Sequence, residues 1–285
     1  MTTDMPPKID AHQHFWHYTP EDFDWINEEM AAIRRDFLPG DLKPELDAAG
    51  YDGCVAVQAP QTEAETEFLL GLAAQYDFIR GVVGWVDLRA GNAGERLAHF
   101  ARFPKLVGIR HIVQAEPDDA FLLGPEFGRG IGQLRQFNLT YDILIHPRHL
   151  PVAARFAARF PDQPFVLDHL AKPFIKDHAL EPWARHLREL ARRENVHCKL
   201  SGMVTEADWL VWDRDDFTPY LNAALEAFGA ARLMIGSDWP VCKVAAGYGE
   251  VMSLVEEYVF RLSPAEQAAI LGENAVRFYG LPVGQ

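Results

Sequence analysis

Eight short apolar runs, many rich in β-branched residues, alternate along the chain with segments of helical apolar spacing. The runs are KIDAHQHF (8–15), GCVAVQA (53–59), IRGVVGWVDL (79–88), LVGIRHIV (106–113), TYDILIHP (140–147), PFVLDH (164–169), VHCKLSG (196–202) and RLMIGSDWP (232–240). Helical spacing covers 63–76, 93–103, 127–137, 150–160, 181–194, 219–228 and 249–262. Strict alternation forces the strands to be parallel, because each crossover returns the chain to the same end of the sheet. Several runs are apolar on both faces, as buried parallel strands are. Eight units predict a (β/α)8 barrel of the TIM type, folded as a single domain over 1–285; about 250 residues is typical of that architecture. A doubly wound open sheet would carry a glycine-rich turn after its first strand, where this chain has Phe15-Trp16-His17-Tyr18.

Charge excludes several partner classes. With 27 Lys+Arg against 41 Asp+Glu, the formal net charge is −14. Nucleic acid and anionic membrane surfaces need a basic face, and no basic run is present. No run approaches the roughly 18 apolar residues of a membrane span, and 1–8 lack an apolar signal-peptide core. Three scattered cysteines, Cys54, Cys198 and Cys242, form no CxxC pair and predict reduced thiols in a cytoplasmic protein. Composition leaves a homo-oligomer open. The longest non-periodic stretch, 15–44, is rich in aromatic residues and predicts a lid-like loop over the barrel mouth.

In such a barrel the C-terminal strand ends meet at one mouth. Read in order they are His12 and His14, Gln58, Trp85 and Asp87, Arg110 and His111, His146, His169, Lys199, and Asp238. Four of the eight strands end in histidine and the last in aspartate, which is the strongest functional signal in the sequence. Asp10, His12 and His14 alternate, so a period of two places all three on one face, toward the barrel axis if Ile9 and Ala11 face the helices. Imidazoles at i and i+2 can converge on one divalent metal ion, with Asp238 closing the site from the last strand. A carboxylate so placed is also a competent general base, although one at a strand end can simply cap a helix. His169 ends an apolar strand in LDHLAKP (167–173) and is a candidate acid, base or ligand; His146 is a further candidate ligand. No HExxH, GxSxG or phosphate-binding glycine motif competes.

KIDAHQHFW (8–16) and IGSDWPV (235–241), together with VAVQA (55–59), GIR (108–110), LDHLAKP and KLSG (199–202), resemble the sugar-lactonase branch of the amidohydrolase superfamily. The resemblance implies a distorted barrel hydrolysing a small lactone of the L-fucono or L-rhamnono type. It implies catalytic roles for Asp238 and His169, and metal ligation by His12, His14 and Asp238, with His146 as a possible fourth ligand. Strand four offers Arg110 and no lysine, so one divalent ion is expected rather than two, and the ligand types suit zinc. Members of the branch that act without metal leave metal-free catalysis open. Arg110, Arg148, Lys172, Lys199 and Lys243 fall at or just after strand ends. Arg110, Arg148, Lys172 and Lys199 are candidate substrate contacts, as are Trp16, Trp85 and Trp239. These cations keep an anionic lactone of the sulfomuconolactone or pyrone-dicarboxylate type as the alternative substrate. A metal-dependent decarboxylase or a non-catalytic binding protein on the same fold are the remaining readings.

Overall fold

The computed structural model describes residues 6–282. Eight strands form the barrel: β1 (Ile9–Gln13), β2 (Gly53–Val57), β3 (Ile79–Gly84), β4 (Leu106–His111), β5 (Thr140–Ile143), β6 (Phe165–Leu167), β7 (Val196–Leu200) and β8 (Leu233–Ile235). They pair in sequence order and all in parallel. Helices α1 (Pro39–Ala48), α2 (Glu63–Gln75), α3 (Ala93–Phe100), α4 (Pro125–Leu134), α5 (Leu150–Arg159), α6 (Trp183–Ala191), α7 (Arg214–Phe228) and α8 (Tyr248–Val259) follow the strands in turn. The seam between β8 and β1 closes just above the ends of the strands. There the Asp238 amide donates to the His12 carbonyl at 2.8 Å and the His14 amide to the Trp239 carbonyl at 2.7 Å. That seam brings the first-strand histidines and the last-strand aspartate together.

The face assignment along β1 differs from simple alternation. Ile9 and Ala11 pack with Val55, Val57, Val83, Val107, Val166 and Met234, and with Tyr279 and Leu281 from the end of the chain. They fill the barrel rather than face the helices. Asp10 turns the other way, accepting from the Ser237 amide at 2.9 Å and its hydroxyl at 2.6 Å. The cause is a register shift between Asp10 and Gln13, where three steps on β1 span two on β2. This bulge re-aims the strand, so that His12 and His14 face inward while Asp10 does not.

Residues 15–44 are less irregular than their sequence suggests. Trp16 and Phe37 exchange backbone hydrogen bonds at 2.9 and 3.0 Å, pinning the two arms of the excursion together. The segment also contains a short turn at Glu28–Ile33 and the beginning of α1. Two prolines and a glycine in PGDLKPELDA conceal that helix. Pro39 occupies its first turn, where a missing N–H costs nothing. Among the described residues no helix is long and apolar enough to cross a membrane, and all three cysteines are free and buried.

Candidate active site

Four side chains converge above the apolar fill of the barrel. His12 Nε2 and His14 Nε2 lie 3.2 Å apart, and Asp238 Oδ1 is 3.8 Å from the first and 3.4 Å from the second. His169 Nε2 is 3.8 Å from the same oxygen. The His14 Nδ1 lies 2.7 Å from the Val57 carbonyl, which can only accept, so the proton of the neutral ring sits on Nδ1 and the Nε2 lone pair faces the cluster. Burial lowers the pKa of His169 to about 4 despite the nearby Asp238 and Asp168 carboxylates. Burial and the Lys199 ammonium hold His12 well below the usual imidazole range. Burial alone would raise Asp238, but the imidazoles of His169, His14 and His12 outweigh it and keep the carboxylate ionised. At neutral pH the rings of His12 and His169 are therefore neutral beside an ionised Asp238.

Backbone strain holds two of these groups. His169, Leu170, Ala171 and Lys172 all have positive φ, between 52 and 60°, and Asp238 sits at 56°. A left-handed conformation costs a non-glycine residue roughly 1–2 kcal/mol, and a run of four in succession is maintained only by the surrounding packing. The turn follows β6 and directs both His169 and Lys172 into the mouth. Gly202, just beyond the end of β7, supports it: its φ is +61°, and a Cβ there would lie 2.6 Å from His169 Nδ1. Gly202→Ala is therefore expected to displace the His169 ring, seen as a fall in kcat exceeding any fall in Tm. Unchanged kcat would show that the ring has room to move.

A charged layer lies beneath the cluster. Lys199 is fully buried, with Nζ 2.5 Å from Asp142 Oδ2 and 2.9 Å from Asp168 Oδ1. Tyr279 donates to the same Asp142 oxygen at 2.8 Å. Arg110 donates to both oxygens of Gln58 and to Asp168 Oδ2, the last at 3.2 Å. Burial opposes ionisation of Asp168, but Lys199, His12 and Arg110 together hold it well below the usual carboxylate range.

The mouth opens into a cavity of about 520 Å³ lined by His14, Arg110, His169, Lys172 and Asp238, with Trp16, Glu21, Asp22, Asp24 and Trp25 from the 15–44 segment. The matched family model is Amidohydrolase, over residues 9–281. The chain belongs to the amidohydrolase family. Two curated relatives are L-fucono-1,5-lactonases. One, from Burkholderia multivorans, is 46% identical over 96% of both chains, and one from Burkholderia ambifaria is 41% identical over 96% of both. A crystal structure of a Burkholderia multivorans amidohydrolase with bound zinc is 46% identical and covers 97% of this chain and 100% of its own, with a TM-score of 0.93.

In this amidohydrolase the donors fit a divalent ion. His12, His14 and Asp238 present two imidazole nitrogens and one carboxylate oxygen, all within 4.8 Å of one another, a donor set suited to zinc. A second group, His12, Asp168 and His169, shares His12, and its carboxylate is already neutralised by Lys199 and Arg110. His146 belongs to neither group. It is half-buried and stacks on His149 at 6.2 Å, so the structure does not bring it to the cluster as a ligand.

Several expected substrate contacts are placed elsewhere. Lys199 points into the charged layer and is spent on Asp142 and Asp168. Arg148 is half-exposed, pairs with Asp119 at 2.9 Å and lies outside the cavity lining. Trp239 is fully buried against Phe15 and Phe37, and donates to Glu45 at 3.3 Å. Trp85 donates to His111 at 3.3 Å, again outside the lining. Arg110, Lys172 and Trp16 do line the cavity. Sequence reasoning missed Asp168, the residue linking Arg110, Lys199 and His12; the only signal was its place beside His169 in LDHLAKP.

Glu65, at the start of α2, is a second buried carboxyl that the motifs did not single out. Burial raises it to about 7, although it accepts from the Ala59 amide at 3.0 Å and lies near Arg110. Its folded pKa exceeds the unfolded one, so its contribution to stability is complete near pH 4.5 and is lost as pH rises toward 7. Glu65→Gln keeps an acceptor for Ala59 and removes the ionisation cost. It should gain stability on the order of 3 kcal/mol at pH 8 and almost none at pH 4.5, read from denaturant melts at both values. An equal effect at the two pH values would contradict the assignment.

Proposed function

We propose that this amidohydrolase opens the ring of an L-fucono-type sugar lactone by water attack on the ester carbonyl. The observation that carries this reading is the ionised Asp238 carboxylate, held among three imidazoles at the floor of a cavity sized for a small ring. Asp238 takes a proton from water as the oxygen adds to the carbonyl carbon. When the ring C–O bond breaks, the departing alkoxide takes that proton back, leaving a hydroxy acid. The Lys172 ammonium lines the mouth, where it can stabilise the charge that the carbonyl oxygen gains. A zinc ion held by His12, His14 and Asp238 would add Lewis-acid polarisation of that carbonyl.

The charge distribution favours a neutral substrate. Glu21, Asp22 and Asp24 all line the cavity, where they suit hydroxyl donors and repel an anion. Of the five cations near strand ends, Arg110 is saturated by Gln58 and Asp168, Arg148 is outside, Lys199 is buried, and Lys243 pairs with Glu45 at 2.9 Å. Lys172 alone lines the cavity with a loose partner, Glu206 at 4.0 Å. Trp25, exposed at the cavity rim, offers an apolar ring for the hydrophobic side of a sugar, whereas Trp16 is buried behind it. The two curated lactonases support the same substrate class.

The test compares kcat/KM on L-fucono-1,5-lactone with that on an anionic muconolactone, by proton release. The sugar lactone should be preferred by more than tenfold, about 1.4 kcal/mol in transition-state binding, and Lys172→Met should not reverse the order. A tenfold preference for the anion that Lys172→Met abolishes would refute the sugar reading.

A further inference from the structure

We propose that Lys199 and Asp168 together decide which nitrogen of His12 carries its proton, one partner serving the metal-free chain and the other a bound divalent cation. The inference rests on the metal reading of His12, His14 and Asp238, and is independent of which lactone is opened.

An ammonium can only donate. Lys199 Nζ lies 3.1 Å from His12 Nδ1, so this contact is a hydrogen bond only if Nδ1 carries the lone pair. The single proton of the neutral ring then sits on Nε2, where it faces the His14 Nε2 lone pair at 3.2 Å. His14 in turn donates its own Nδ1–H to the Val57 carbonyl at 2.7 Å. The chain Lys199, His12, His14, Val57 therefore runs in one direction, with an acceptor for each donor and no cation required.

A cation between the two Nε2 atoms needs lone pairs on both, so the His12 proton must move to Nδ1. An acceptor is already in place there. Asp168 Oδ1 is 3.3 Å from His12 Nδ1, and its ion pair with Lys199 at 2.9 Å leaves it a further lone pair to accept with. A carboxylate behind a ligating imidazole is the usual partner that fixes a metal-binding tautomer. Lys199 loses little in the exchange, since it keeps its ion pairs to Asp142 and Asp168. Arg110 Nη1, 3.4 Å from His12 Nε2, favours the second arrangement, so neither tautomer is locked. The ring is neutral in both, and His12 neither gains nor loses a proton overall.

The experiment is two-bond ¹H–¹⁵N correlation spectroscopy on the full chain with ¹⁵N-labelled histidine, His12 being assigned by its loss in His12→Gln. After chelation, His12 should be protonated on Nε2; with one equivalent of zinc, on Nδ1. Protonation on Nδ1 before zinc, on Nε2 after it, or on both nitrogens in either state would overturn the proposal. Lys199→Met should shift the metal-free proton to Nδ1, and an unchanged tautomer would remove Lys199 from the device. Asp168→Asn should weaken zinc binding 10–100-fold by calorimetry while leaving the metal-free tautomer as it was; unchanged affinity would remove Asp168. If either variant fails to fold, the two wild-type spectra decide. Calorimetry showing no zinc binding to the wild-type chain would overturn the metal reading itself, a result separate from any tautomer.

Discussion

Asp238→Asn is expected to lower kcat by at least 10²–10⁴-fold, the contribution of a positioned general base. The carboxamide keeps the size and one acceptor oxygen but cannot take a proton from water. The substitution should be gentle on the fold. Asparagine is among the residues most tolerant of positive φ, and the bond that closes the barrel here comes from the backbone amide of residue 238 to His12. Thermal melts should thus change far less than turnover, and KM should stay within a few-fold of the wild type. A folded variant with near-native kcat would reduce Asp238 to its other visible role, the backbone carbonyl that accepts from the Cys242 amide at 2.9 Å and starts the following turn.

The barrel was legible because its signal is long-range and repetitive: eight runs and their intervening helices survive errors of a few residues at each end. The convergence of His12, His14, His169 and Asp238 followed from strand ends alone, since parallel strands deliver those ends to one mouth. Periodicity failed where the backbone departs from its period. The β1 bulge breaks the alternation that would have put Asp10 beside His12. The left-handed turn after β6 lets consecutive Asp168 and His169 both serve the barrel interior. Height along a strand is equally invisible: Lys199 reads as a strand-end residue, as His169 does, yet its ammonium sits a layer lower. The ion-pair partners of the cations were illegible for another reason. Arg148 is neutralised by Asp119 and Lys243 by Glu45, and no local pattern announces partners so distant in sequence.

Lys199→Met should cost about 3–5 kcal/mol of stability, as removal of one partner of a buried ion pair does, and lower Tm by on the order of 10 °C. Methionine fills a similar volume, so the loss is one of charge rather than packing. What remains is Asp142 and Asp168, fully buried, with Arg110 as the nearest cation and in contact only with Asp168. Burial already raises Asp142 to about 6 against the pull of Lys199, and without the ammonium its carboxyl must rise further. An acid whose folded pKa lies above its unfolded value contributes stability at low pH and loses it as pH climbs through the folded pKa. The deficit of Lys199→Met should therefore be small at pH 5, where Asp142 can stay protonated, and large at pH 8. Asp142→Asn in the same chain should recover part of the pH 8 loss by removing the uncompensated charge, a coupling that a double-mutant cycle measures directly. Equal deficits at the two pH values, or strict additivity of the two substitutions, would mean that Lys199 supports the barrel by its bulk and not by neutralising the layer beneath the active site.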